Sequence, residues 1–428
     1  MCNLFWYLYK WASDSRIHRD PTPPTMDTPS TPVSVSSSRS RSTSSSPSTY
    51  GGEDTSFTSL DQSTAPSTVE SCCSDPGSPR ILTEEIIARG SDELKMLEGA
   101  RMQATSEEPE DLAQHKERIA VNACARQNRY WFSKMKAVFK EIDDQTACIP
   151  RKDPFRFLDL GCCPGGFSSY ILNKNPFAQG LGISSENETG GHPFLVEKRH
   201  QARFKVHYAD LTYYRLGPLP ASVVRGSTKS LRALPFDCNK RFDVVLLDGK
   251  QIHRDPKSNI SDRFFVSELI IGLQAIKKGG TLVVRLIDPE SVETAKLLHM
   301  FDLLASSLDT FKPRTMHVAR STFYAVIKGV GEGPKGGSLP HFINKLKELW
   351  VDLSLGGTEG AGRSLCHEDL DFIISIDELK ATKNLDRLIK LSRAVWEVQA
   401  KALMGQPEPE KPSSFDELLA RPPGIFVN

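Results

Sequence analysis

The sequence predicts an α/β fold, a mostly parallel sheet with helices on both faces and helical extensions at either end. Three observations predict it. Between residues 151 and 330 short apolar runs alternate with helical patterns. Most of those runs are continuous rather than alternating, as strands covered on both faces of a parallel sheet must be. The first run leads straight into a glycine-rich bend at Gly161, Gly165 and Gly166.

The elements follow in order along the chain. Residues 1–81 read as a disordered tail, because a segment dominated by Ser, Thr and Pro cannot bury enough apolar surface to fold. Thr28-Pro29, Ser46-Pro47 and Ser78-Pro79 are phosphorylation candidates within it, although such dipeptides are common in any tail of this composition. The opening MCNLFWYLYKWA is apolar but falls far short of the roughly 20 residues that span a bilayer. It reads as a disordered or peripheral end, with a signal peptide as the alternative. Residues 82–150 read as a helical N-terminal extension, from apolar residues recurring at three and four positions. Its second segment opens with acidic residues that suit a helix N-terminus.

Within 151–330, FRFLDLG, FAQGLGIS, FKVHYAD, FDVVLLDG, GGTLVVRLID, TMHVA and TFYAVIKG read as strands. FSSYILNKN and SDRFFVSELIIGLQAIKKGG read as crossover helices, the second stopped by Gly279 and Gly280. Residues 338–405 form a helical C-terminal extension whose apolar stripe carries Leu385, Leu388, Val395 and Trp396. Residues 406–428 are a tail.

Charge is distributed unevenly. The formal net charge is +1, yet residues 151–330 hold 26 Lys and Arg against 17 Asp and Glu, a balance of +9, and the flanks hold 28 against 36, a balance of −8. A basic core favours a polyanionic partner. The runs EKRHQARFK, with Lys198, Arg199, Arg203 and Lys205, and KQIHRDPK, with Lys250, Arg254 and Lys257, are the candidate phosphate contacts. Each run alone also fits a solvated face. The nine cysteines form no CxxC pair and have no histidine at zinc-finger spacing. Neither a metal site nor a disulfide framework is expected, and a reducing intracellular compartment, nuclear or cytoplasmic rather than secretory, is. No membrane partner is expected, and protein partners are left open.

The most informative stretch is Phe157-Leu-Asp-Leu-Gly-Cys-Cys-Pro-Gly-Gly-Phe167. A strand ends at Asp159 and Leu160, the bend follows, and a helix begins near Phe167. Glycines let the backbone approach a ligand closely, which a Cβ would prevent. The motif resembles the cofactor loop of FtsJ-like ribosomal RNA ribose 2′-O-methyltransferases, and the resemblance is collinear from Arg126 to Gly329. RYWFSKMK lies upstream, while HYADL, FDVVLLDG and STFYAVIKG follow in family order.

That resemblance implies a Rossmann-like methyltransferase fold with a seven-stranded sheet, S-adenosyl-L-methionine as cofactor and RNA as partner. Asp159, Gly161, Pro164, Gly165, Gly166 and Phe167 would border the cofactor. Asp210 would accept a hydrogen bond from the adenine amino group, an ordinary strand-end aspartate being the alternative. Glu186, beside Ser185, would hold the ribose hydroxyls. Cys162 and Cys163 are read as packing residues.

Methyl transfer to a hydroxyl is an in-line displacement that needs no metal, only an aligned hydroxyl and a route for its proton. The family uses a Lys-Asp-Lys-Glu tetrad. Carried over, its members fall on Lys134 (or Lys136, the register being ambiguous), Asp248, Arg285 and Thr322. Two depart from the pattern: arginine cannot serve as a base, and Thr322 brings no charge. Proximity-driven transfer assisted by Lys134 or Lys250 is one way to accommodate them. A non-catalytic scaffold that binds cofactor or RNA, or a methyltransferase for a small molecule or protein, are the others.

Overall fold

A computed structural model describes residues 80–107, 125–186, 191–219, 231–234, 239–249, 260–356 and 362–405. The Ser/Thr/Pro-rich tail with its three proline-directed sites, the acidic opening of the second N-terminal segment, the Lys250, Arg254 and Lys257 run and the last 23 residues lie outside them.

Seven strands form one sheet in the order β3-β2-β1-β4-β5-β7-β6. They are β1 (Arg156–Leu160), β2 (Gln179–Ser184), β3 (Phe204–Tyr208), β4 (Phe242–Leu247), β5 (Ile276–Ile287), β6 (Ser307–Phe311) and β7 (Thr322–Lys328). The first five run parallel, and β7 pairs antiparallel with both β5 and β6. The strand order reverses between β1 and β4, which opens a crevice outside their carboxyl ends, where ligands of open α/β sheets bind.

The sequence misplaced the sixth strand. Residues 315–319 lie in bends and turns, and Ser307–Phe311 takes the edge instead. An antiparallel edge strand exposed on alternate positions carries no continuous apolar run, so SLDTF has no buried-strand signature. Gly279 and Gly280 do not stop a helix either. The helix ends at Ala275, β5 begins at Ile276, and the glycines lie in an irregularity where the pairing jumps from Phe242–Ile276 to Val244–Thr281.

One face of the sheet is covered by α3 (Ala125–Thr146) and α4 (Gly166–Lys174). There Val138, Phe139, Ile142, Phe167 and Ile171 pack on Phe157, Val244, Val283 and Tyr324. The short helix α5 (Lys198–Gln201) leads into β3. The opposite face is covered by α6 (Ile260–Ala275), α7 (Val292–Leu304) and the extensions.

The N-terminal extension contributes α1 (Ile81–Ala88) and α2 (Asp92–Glu107). What periodicity reads as one helix breaks at Gly90, where φ is +87° and the amides of Gly90 and Ser91 bond back to Ile87 and Ile86, a Schellman ending. The C-terminal extension contributes α8 (Leu339–Leu355), α9 (Ile376–Lys380) and α10 (Thr382–Leu403). Leu385, Leu388, Val395 and Trp396 are buried as the stripe predicts. Two indoles tie the extension down by hydrogen bonds: Trp350 to Ser267 on α6 at 3.1 Å, and Trp396 to Glu290, just past β5, at 2.7 Å. No helix among the described residues is long and apolar enough to cross a membrane.

Candidate active site

The bend after β1 sits at the carboxyl edge, and each of its glycines is required by a neighbour. Gly161, at φ +76°, lies against the turn after β4, where a Cβ would fall 2.1 Å from the Gly249 Cα. Gly166 begins α4 against the backbone of α3, where a Cβ would come within 2.7 Å of the Phe132 carbonyl oxygen. Gly165, at φ +104°, meets a Val196 methyl, and the Leu195 amide donates to the Pro164 carbonyl at 3.0 Å. The segment leading to α5 therefore folds over one flank of the bend, while Gly161 stays partly exposed. Phe167 turns inward, 4% exposed, packed 4.5 Å from the Phe139 ring. Cys162 and Cys163 are buried free thiols.

Three carboxylates gather at this edge. Asp159, the next-to-last residue of β1, is buried and accepts a hydrogen bond from Ser168 at 2.5 Å. Burial drives its pKa from the usual 3.8 up to about 8, against the pull of Ser168 and with a push from the Asp248 charge. Asp248 follows β4. The Tyr324 hydroxyl donates to its Oδ1 at 3.0 Å, and Arg285 Nε lies 3.5 Å from the same oxygen. Burial raises the Asp248 pKa while Arg285 and Tyr324 counteract it.

The third carboxylate, Glu268, was not singled out in the sequence. It is 3% exposed on α6 and accepts from the Gly249 amide at 2.9 Å. Burial pushes its pKa up to about 8. Its signal was present, since a charged residue within FFVSELIIGLQA is out of place among buried apolar neighbours. Arg285 Nη2 donates to the Gly249 carbonyl, so the turn after β4 is held from both ends of one residue. Burial alone would lower the Arg285 pKa, but Asp248, Tyr324 and Glu268 raise it, and the guanidinium stays charged.

The two α3 lysines separate. Lys136 pairs with Glu197 at 2.8 Å. Partial burial would raise the Glu197 carboxyl, yet Lys136 and Ser169 hold it at about 2. Lys134 instead stands 5.6 Å over the Tyr130 ring, half-buried on α3 one to two turns beyond the exposed Arg126 and Arg129. Thr322 opens β7 opposite Ile287, one same-face position from Tyr324. Its carbonyl accepts from Lys312 at 2.7 Å.

At the other side of the crevice Glu186 is exposed beyond β2. Asp210, beyond β3, uses Oδ1 to cap the short 3-10 turn Leu211–Tyr213, accepting from the Thr212 amide and hydroxyl at 2.8 and 2.7 Å. Of the candidate phosphate contacts, Arg203 spends its guanidinium on the carbonyls of Leu172, Asn175 and Ala178, closing the end of α4. Lys198, Arg199 and Lys205 are exposed.

The donor set suits a nucleoside bearing positive charge. A sulfonium beside an ammonium is a cation, and Asp159, Asp248 and Glu268 form a buried carboxyl cluster beside the Arg285 guanidinium whose ionised form such a cation favours. The glycine bend supplies close backbone approach, and Glu186 and Asp210 are the acidic residues at the ends of β2 and β3.

Comparison with known proteins follows the same residues. Residues 134–330 match the family described as FtsJ-like methyltransferase. The chain is 23% identical over 248 residues to the cap-specific mRNA (nucleoside-2′-O-)-methyltransferase 1 of Caenorhabditis elegans, covering 56% of this chain and 25% of that protein. It is 25% identical over 186 residues to the inactive cap-specific mRNA (nucleoside-2′-O-)-methyltransferase 1B of Caenorhabditis briggsae, covering 42% of this chain and 21% of that one. The chain thus spans a quarter or less of these relatives' length. Among solved structures, a putative ribosomal RNA methyltransferase from Plasmodium falciparum is 19% identical over 46% of this chain and 97% of its own, with a TM-score of 0.31. The match to the FtsJ-like methyltransferase family takes in all seven strands and the site residues described above.

Proposed function

We propose that the chain is an S-adenosylmethionine-dependent methyltransferase acting on ribose 2′-hydroxyls of RNA. The observation that carries this reading is the meeting of the glycine bend after β1 with the Asp248–Gly249 turn after β4, at the point where the strand order reverses. The cofactor, when bound, supplies an electrophilic methyl on sulfur.

The chain's own residues do the rest. Asp159 and Asp248 offer the negative field that a sulfonium and its ammonium require. Gly161, Pro164, Gly165 and Gly166 shape the turn beneath them, with Phe167 anchoring it in the core. Glu186 takes the ribose hydroxyls, and Asp210 takes the adenine amino group. Lys134 orients the acceptor hydroxyl as a hydrogen-bond donor at Nζ, and the hydroxyl proton leaves to solvent as the oxygen takes the methyl. Arg285 aims Asp248 and takes no proton, because a guanidinium does not act as a base at neutral pH.

RNA as the partner is supported by the +9 balance of residues 151–330, by exposed Lys198, Arg199 and Lys205, and by the relatives named above. With RNA as substrate, the site of action is nuclear or cytoplasmic. A second reading, a domain that binds cofactor or RNA without turnover, is favoured by Arg285 and Thr322, which bring neither a titratable amine nor a second carboxylate to the β5–β7 pair.

The deciding experiment incubates the full chain with methyl-labelled cofactor and total RNA. Transfer to ribose that disappears in Asp248→Ala supports the enzyme. Cofactor binding by calorimetry with no transfer to any RNA overturns it in favour of the second reading.

A further inference from the structure

Arg285 is a buried cation whose strand partners leave it short of negative charge. Directly opposite it on β7 is Tyr324, and the next position on that face is Thr322. Asp248 supplies one carboxylate, at 3.5 Å. The other comes from a different element: α6 reaches beneath the turn after β4, and Glu268 accepts the Gly249 amide at 2.9 Å while Arg285 grips the Gly249 carbonyl. One residue, Gly249, is therefore clasped between the glutamate at its amide and the arginine at its carbonyl. Gly249 fits there because a Cβ at this position would fall 2.1 Å from Glu268 Oε1.

We propose that Glu268 is a positioning residue of the methyl-transfer site, acting through Gly249 and Arg285 to hold Asp248 in line and supplying the second carboxylate that the β5–β7 pair lacks. This rests on the methyltransferase reading above. A glutamate serving only to fill space beneath the turn would be replaceable by any side chain of its size, whereas one that ionises beside Arg285 once the cationic cofactor is bound would not. The charged groups that face Glu268 are Arg285 on β5, Asp248 beyond β4 and Asp159 on β1.

The test uses Glu268→Gln, which keeps the shape and the acceptor for the Gly249 amide but removes the group that can ionise, and Glu268→Ala, which removes both. In the cofactor-free chain, exchange of the Gly249 amide is expected to rise by about tenfold or more in Glu268→Ala and to stay near wild type in Glu268→Gln, as loss of a hydrogen bond to a charged group implies. RNA methyl transfer is expected to fall by about tenfold in Glu268→Gln, with KM for the cofactor nearly unchanged and the acidic limb of the pH profile altered. Thr322→Glu, which returns a carboxylate to the face of Arg285, is expected to rescue Glu268→Gln and not Glu268→Ala.

Wild-type turnover and pH profile in Glu268→Gln, or unchanged Gly249 exchange in a folded Glu268→Ala, would overturn the proposal. If the wild-type chain transfers no methyl at all, the methyltransferase reading fails by itself, and Gly249 exchange still decides whether Glu268 holds the turn.

Discussion

Arg285 and Asp248 face each other at 3.5 Å across the carboxyl ends of β5 and β4. Removing one partner of such a pair leaves the other buried and uncompensated, at a cost of about 3–5 kcal/mol. Arg285→Ala is therefore expected to lower the urea midpoint strongly and to abolish transfer. Asp248→Asn removes the charge but keeps the Tyr324 contact, so it should retain more stability than Arg285→Ala while still losing transfer. A stability within about 1 kcal/mol of wild type for Arg285→Ala would contradict the pairing.

The raised carboxyls make a pH prediction whose sign is definite. Asp159 and Glu268 ionise near 4 in an unfolded chain and at about 8 when folded. Between those limits the folded state holds more protons, so stability without cofactor falls as pH rises from about 4 to 8. A cationic cofactor favours the ionised carboxylates and must expel protons on binding. Calorimetric titration at neutral pH in buffers of different ionisation enthalpy should show net proton release. Uptake, or no buffer dependence, would contradict a buried anionic cradle.

Gly166 and Gly99 make a matched pair of substitutions. A Cβ at Gly166 meets the α3 backbone at 2.7 and 2.8 Å, so Gly166→Ala must push α3 away and is expected to cost about 1–3 kcal/mol. Lys134 moves with α3, and transfer should fall along with stability. On α2, Gly99 has nothing within 4 Å, and Gly99→Ala should gain about 0.5–1 kcal/mol by favouring helix. Urea midpoints of the two variants moving in the same direction would break this account.

The same contrast shows what sequence patterning can carry. The bend was legible because glycine is demanded by backbone neighbours, and the buried strands were legible because burial on both faces leaves continuous apolar runs. β6 was not, since an edge strand buries alternate positions and its Leu308 stands alone. Lys134 and Lys136 could not be told apart because two residues' separation puts them on opposite sides of a helix with about 3.6 residues per turn. In the structure Lys136 pairs with Glu197 and Lys134 lies over the Tyr130 ring. Glu268 was visible as an anomaly, but its partner Gly249 lies on another element and no local pattern joins the two.

The extensions are coupled to the site through the end of β5. Arg101 on α2 reaches Asp288 and Glu290, each at 2.6 Å, and Glu290 also receives the Trp396 indole from α10. Burial and the neighbouring Glu290 raise Asp288 to about 6, and burial brings Lys312 down to about 7. Arg101→Met strands the two carboxylates and should cost about 3–5 kcal/mol at pH 7.5. Below about pH 6 Asp288 takes a proton in the variant as well, so the uncompensated charge shrinks and the gap from wild type must narrow. Trp396→Phe keeps most of the packing and loses the bond to Glu290, for about 1.5–3 kcal/mol. Asp288 follows Arg285 by three residues, so loosening this anchor should also lower transfer more than it lowers cofactor affinity. Chemical denaturation of both variants at pH 5 and pH 7.5 checks the argument, and a penalty for Arg101→Met that grows on acidification would refute it.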